Sequence, residues 1–123
     1  MVFDWGKINE KINYIADSSI RTDLNNFVKD IINITSSNDI IIKTRKNKCD
    51  IEWLYNGRIF IFIACRKTFY HFAIFENYSS IPEFPKCQYE KDDDTGYIRM
   101  KLRVLSSPQK DEILELIKNR LKK

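Results

Sequence analysis

One histidine, His71, and three cysteines, Cys49, Cys65 and Cys87, are all the imidazole and thiol that this sequence of 123 residues contains. The scarcity excludes whole classes of chemistry. No Cys-x-x-Cys pair occurs and the cysteine count is odd, which argues against a zinc ribbon and against the dense, even-numbered framework of a secreted scaffold. With one His and no suitable spacing among the cysteines, neither a metal site nor any other cofactor is expected. Three glycines and three prolines are too few for a low-complexity or collagen-like chain. The glycine-rich phosphate loops, the Gly-x-Ser-x-Gly elbow and the His-Glu-x-x-His helix are all missing. No catalytic residue is therefore assigned, although an enzyme working through His71 stays open as an alternative.

Long apolar runs are also lacking. The longest, Ile59 to Cys65, has seven residues, far below the ~18 that a bilayer span needs. Met1 to Asn13 alternates apolar with polar residues and does not resemble a signal peptide. Taken with the cysteine usage, this makes the cytoplasm the expected location. Charge of one sign is modest, with 21 Lys plus Arg against 17 Asp plus Glu and a net charge of +4. Such a balance names no partner by itself. What remains, 43% hydrophobic and 31% charged residues, is the composition of one globular domain spanning 1–123. A chain of this size buries roughly two thirds of its extended surface on folding.

Periodicity divides the chain. Trp5, Ile8, Ile12 and Ile15 recur at helical spacing behind Asp4, predicting a helix over 4–17. Ser18 and Ser19 are placed to cap a second helix over about 19–34, with its stripe at Ile20, Leu24, Phe27, Val28, Ile31 and Ile32. From Ile40 the period becomes two. Ile40–Thr44, Asp50–Tyr55, Arg58–Arg66 and Phe69–Phe75 read as strands, with a basic loop of Arg45, Lys46, Asn47 and Lys48 between the first two. Asn56-Gly57 predicts a two-residue type I′ hairpin, because both central residues need positive φ. Regular pairing from that turn sets Tyr55 against Arg58, Trp53 against Phe60 and Ile51 against Phe62.

The third and fourth strands are apolar on both faces, so both faces must be covered. Three helices suffice to cover both within one chain; alternatively, the face carrying Ile59, Ile61, Tyr70 and Phe72 pairs with a second copy. Residues 76–87 read as a loop, Lys86–Glu90 as a short strand, and Asp92-Asp93-Asp94-Thr95-Gly96 as a solvated acidic turn without the ligand spacing of a calcium loop. Tyr97–Leu105 alternates again, with Ile98, Met100, Leu102 and Val104 inward. Ser107 and Pro108 open a final helix with its stripe at Ile113, Leu116, Ile117 and Leu121. The expected fold is α+β: an antiparallel sheet of five or six strands, with two N-terminal helices and one C-terminal helix packed on it.

The strongest candidate for a binding surface is the outward stripe Arg99, Lys101 and Arg103, with Tyr97 beside it. Cations at period two stand ~7 Å apart along one face and match successive phosphates. Lys43, Arg45, Lys46 and Lys48 extend the patch if their loop lies nearby. The alternative is ordinary solvation and edge protection.

Arg58–Lys67 followed by Phe69-Tyr70-His71-Phe72, and Tyr97–Val104 followed by Ile113-x-x-Leu116-Ile117, resemble two groups of small α+β domains over about residues 20–121. One is the C-terminal domain of predicted transport proteins, sometimes found beside nuclease-like domains. The other is the frataxin-like iron-chaperone group. The latter resemblance implies an acidic ridge on the first helix, where this sequence carries Lys7, Glu10 and Lys11. The expectation is a non-enzymatic interaction module that binds another macromolecule. A protein partner comes first and a nucleic acid on the basic strand is the alternative, with no membrane, and with the protein a monomer or a homodimer.

Overall fold

The computed structural model describes residues 3–36, 39–46, 48–75, 88–92 and 97–121, Asp92 by its backbone alone. Helix α1 (Trp5–Ile12) starts where Asp4 accepts the Lys7 amide at 3.2 Å. It stops earlier than the apolar spacing suggests, yet Ile15 beyond its end is still fully buried. Helix α2 (Ser18–Thr35) is capped by Asp17, whose carboxylate accepts from Ser19 and Ile20 at 2.8 and 3.1 Å. A charged acceptor suits the orphan amides and the positive end of a helix better than the hydroxyls of Ser18 and Ser19.

Strands β1 (Ile40–Thr44), β2 (Asp50–Tyr55), β3 (Arg58–Cys65), β4 (Tyr70–Phe75), β5 (Glu90–Asp92) and β6 (Tyr97–Leu102) follow. They form one sheet in the order β1-β2-β3-β4-β6-β5, antiparallel at every pairing. The hairpin between β2 and β3 closes at Asn56 and Gly57, with φ of 54° and 77°, the two positive values that a type I′ turn demands. Tyr55 duly pairs with Arg58.

Two residues further along, the register departs from regular pairing. Leu54 pairs with Ile59, but Trp53 pairs with Ile61 and Ile51 with Ile63, because Phe60 is an extra residue in a bulge. The reason is parity. A regular ladder would set Asp50 and Glu52 on the same face as Ile61 and Ile63, driving two carboxylates beneath the helices at a large desolvation cost. One inserted residue moves Trp53 and Ile51 onto that face instead and turns the carboxylates away from it.

All three helices serve the same side of the sheet. The buried residues of α1, of α2 and of α3 (Ser107–Leu121) join one cluster with Ile51, Trp53, Ile61, Ile63, Phe72 and Met100. Phe27 of α2 meets Phe72 of β4 at 6.0 Å between ring centroids. The helices therefore do not divide between the two faces. Ile61, Tyr70 and Phe72 are fully buried within the one chain, so this face is the core and offers nothing to a second copy; Ile59 is half-buried.

Strand β6 ends at Leu102, and the chain bends through Arg103 and Val104. The alternation breaks there. Val104 is 54% exposed, and Leu105 takes its place in the core. Helix α3 begins with a capping box in which Ser106, not Ser107, is the cap: the Gln109 amide donates to Ser106 Oγ and the Ser106 amide to Gln109 Oε1. The short strand β5 starts at Glu90, where the sequence predicted one to end. The expected loop 76–87, with Lys86 and Cys87, and the acidic turn 93–96 lie outside the described residues.

Asp23 of α2 ties this region down. It accepts the Leu105 amide at 2.9 Å and pairs with Lys110 of α3 at 2.8 Å.

Cys65, at the end of β3, is fully buried and its amide donates to the Cys49 carbonyl at 2.8 Å. Burial, with Cys49 and Asp50 nearby, pushes its thiol up to about 12 from the ordinary 9.0. The thiolate is the reactive form, so iodoacetamide at pH 8 is expected to label Cys65 roughly tenfold or more slowly than half-buried Cys49, as read by peptide mass spectrometry. Comparable rates would show that the end of β3 opens readily. The same shift has a sign for stability. Between pH 9 and about 12 the thiol ionises in the unfolded chain but not in the folded one, so stability falls across that window.

Candidate anion-binding face

The side of the sheet turned away from the helices carries the polar and aromatic chemistry. Pairing places its residues in rows that cross the strands. Asp50, Ala64, His71 and Lys101 form one row, and Lys43, Glu52, Phe62, Ala73, Arg99 and Glu90 the next. Each central aromatic side chain thus stands opposite an alanine, Phe62 across from Ala73 and His71 across from Ala64. Asp50 and Glu52 are buried here as well, at 5% and 7% exposure. Glu52 answers its burial with a 2.6 Å ion pair to Arg45.

The candidate residues from the sequence fall into two groups. Tyr97 is half-buried and packs on Phe75, with ring centroids 5.4 Å apart. Arg99 pairs with Glu90 at 2.7 Å, and the arginine holds that carboxyl below its usual range. Lys101 is exposed, its ammonium 4.3 Å from the centre of the Phe69 ring. Arg103 is exposed past the end of the strand, so the three cations do not form one straight stripe. Across the sheet, Arg45, Lys46 and Lys48 are exposed in the β1–β2 connection. Lys11 of α1 reaches the Lys46 carbonyl at 3.5 Å.

Antiparallel order brings these groups to one end of the sheet without making them adjacent. The β1–β2 connection, the β3–β4 turn and the exit of β6 all lie at that end, but three strand spacings, ~14 Å, separate β2 from β6. Arg66 and Lys67, in the β3–β4 turn, stand in the gap. Sequence reasoning passed over both, Arg66 as the last residue of a strand and Lys67 as a turn residue. Counting strand directions from the Asn-Gly hairpin was the signal that would have placed them. Arg66 braces the turn: its guanidinium donates to the Cys65 carbonyl at 3.1 Å and its backbone amide to the Phe69 carbonyl at 2.9 Å. Lys67 lies 4.4 Å from the centre of the exposed Tyr14 ring, and its carbonyl accepts the Ala16 amide.

Two concavities flank that turn. One, of about 560 Å³, is lined by Tyr14, Arg45, Lys48, Asp50, Phe62 and Arg66 among others. The other, of about 400 Å³, is lined by His71, Gln88, Tyr89, Glu90, Arg99 and Lys101. Each sets aromatic rings beside cations. His71, in the second, has its ring edge-on to Phe69 with centroids 5.2 Å apart. Partial burial lowers its pKa, and Arg99, Arg66 and Lys101 lower it further against a smaller pull from Glu90.

Among the described residues no three His, Cys, Asp or Glu side chains gather as a metal site, and no helix is long and apolar enough to cross a membrane. No family model, curated protein or solved structure matches the chain.

Proposed function

We propose that this protein is a non-enzymatic binding module that takes an anionic macromolecule at the basic end of the sheet face turned away from its helices. The observation that carries the reading is the convergence of Arg45, Lys46 and Lys48 from the β1–β2 connection, Arg66 and Lys67 from the β3–β4 turn, and Lys101 and Arg103 from the end of β6 onto one end of the sheet. Among the described residues Arg45 is the one member of that set held in an ion pair. Among the described residues the acids nearby are outnumbered: Asp50 and Glu52 are buried, Glu90 is engaged by Arg99, and exposed Glu10 lines a concavity with Lys46, Lys48 and Lys67. Cations in excess of the described acids at one rim generate a field that attracts polyanions and raises their on-rate.

The test is binding of labelled polyphosphate, heparin, single-stranded DNA and duplex DNA by fluorescence anisotropy across a salt series. Affinity is expected to fall steeply with salt. Changing Lys48, Arg66 and Lys101 together to Ala should weaken binding by about 100-fold at low salt, since each lost phosphate contact removes its share of released counterions. Lys118→Ala, on the exposed side of α3, is expected to change nothing. Equal affinity of the triple variant and the parent for all four probes would refute the reading.

A further inference from the structure

We infer that the anionic partner is a single-stranded nucleic acid, lying across the β3–β4 turn from one concavity to the other. This rests on the function proposed above and narrows it to one partner class. Cations alone do not choose among polyanions; the rings between them do. Tyr14 is 40% exposed. Phe62 and Phe69 are half-buried, offering ring surface beside Lys48, Arg66 and Lys101.

Unpaired bases present flat π faces that stack on such rings whatever their sequence, while the backbone tracks the adjoining charges. A duplex keeps its bases stacked inside, and reading its major groove takes a helix or a two-stranded ribbon. This end of the molecule offers a sheet face and short connections instead. The carboxylates of an acidic peptide would satisfy the cations, but they bring no flat ring of their own to stack on the aromatic surface.

Two further details fit a strand that spans the turn. The row Asp50, Ala64, His71 and Lys101 runs from the first concavity to the second, with the small Ala64 at its middle. Lys101 already stands over the Phe69 ring at 4.3 Å, where a base that stacks on Phe69 displaces the ammonium toward the phosphate that comes with it. His71 faces Arg66 in the β3–β4 turn, Arg99 and Lys101 on β6 and Glu90 on β5. A phosphate arriving among these groups opposes the cations that disfavour its protonation.

The experiment compares oligo-dT of about 20 nucleotides, long enough for one domain's site, with a duplex of the same length, heparin and polyglutamate. Oligo-dT is expected to bind at least about tenfold more tightly than the duplex or polyglutamate at equal salt. Tyr14→Ala and Phe69→Leu should each weaken oligo-dT binding by about tenfold and leave heparin binding unchanged. Tyr14 is exposed, so its variant keeps the fold; thermal melting checks both. As an independent readout, the His71 imidazole resonances should titrate at higher pH with oligo-dT bound than free.

If all four polymers bind alike and the ring variants change nothing, the single-strand assignment is overturned while the anion-binding reading stands. A preference for polyglutamate overturns it in favour of an acidic protein. Failure of every polymer to bind removes both.

Discussion

Trp53→Ala is expected to cost about 3–5 kcal/mol of folding stability, enough to consume a large part of what a domain of this size has. Trp53 is among the largest side chains the core encloses completely, and it sits on β2 directly across from Ile61 on β3. Removing the indole leaves a void that close-packed neighbours fill only in part. The comparison that makes this a test is Trp53→Phe. The indole Nε1 is buried without a hydrogen-bond partner, so part of the native tryptophan's packing gain is offset by a desolvated N–H. Phenylalanine gives up volume but also that penalty, and its cost should be about 1 kcal/mol. Urea denaturation separates the two variants, with the half-buried Trp5 left as the fluorescent reporter. A Phe variant as unstable as the Ala variant would mean that the indole N–H is satisfied in solution.

Asp23→Ala carries the second large effect, about 2–3 kcal/mol. One carboxylate there serves two partners, the Leu105 amide and the Lys110 ammonium, with side-chain exposures of 13% and 21% at the two ends of the ion pair. Losing it strands a backbone donor and a half-buried cation together, at the point where the chain leaves β6 for α3. Asp23→Asn keeps an acceptor for the amide and should cost roughly half as much. Lys110→Met removes the cation while sparing its aliphatic packing, and is expected to cost under about 1 kcal/mol. In a double-mutant cycle the Asp23 and Lys110 changes should be clearly non-additive. Additive costs would show that the ion pair contributes nothing beyond the amide bond.

The helices, the strands and the type I′ turn were legible because each rests on local chemistry: a repeat of 3.6 or 2, a cap, a pair of residues tolerant of positive φ. The bulge at Phe60 was not, because it answers to residues on a different strand. Yet its motive stands in the sequence. A regular ladder from Asn56-Gly57 assigns Asp50 and Glu52 to the face of Ile61 and Ile63, and that conflict of parity asks for one extra residue. Tyr97, Arg99 and Lys101 were placed on the correct face, since Ile98 and Met100 between them had to point inward. Arg103 was not, because the strand stops one residue before it. Arg45 looked free until the fold set Glu52 beside it. Arg66 and Lys67 became part of the surface only once strand order had put their turn between the other two basic connections, which is information that no single segment holds.

Strand β1 ends the sheet on one side, paired with β2 and, among the described residues, with nothing beyond it. It consists of three isoleucines followed by Lys43 and Thr44, and Ile41 is 42% exposed. An unpaired row of backbone donors and acceptors carrying β-branched side chains invites another chain to add itself, as in domain swapping or fibre growth. Only five residues long, with the charge of Lys43 within it and that of Asp39 just ahead of it, the strand makes a short and poorly complementary template. Those two surface charges, which contribute little to the stability of one molecule, therefore govern whether many molecules can be kept together without coalescing.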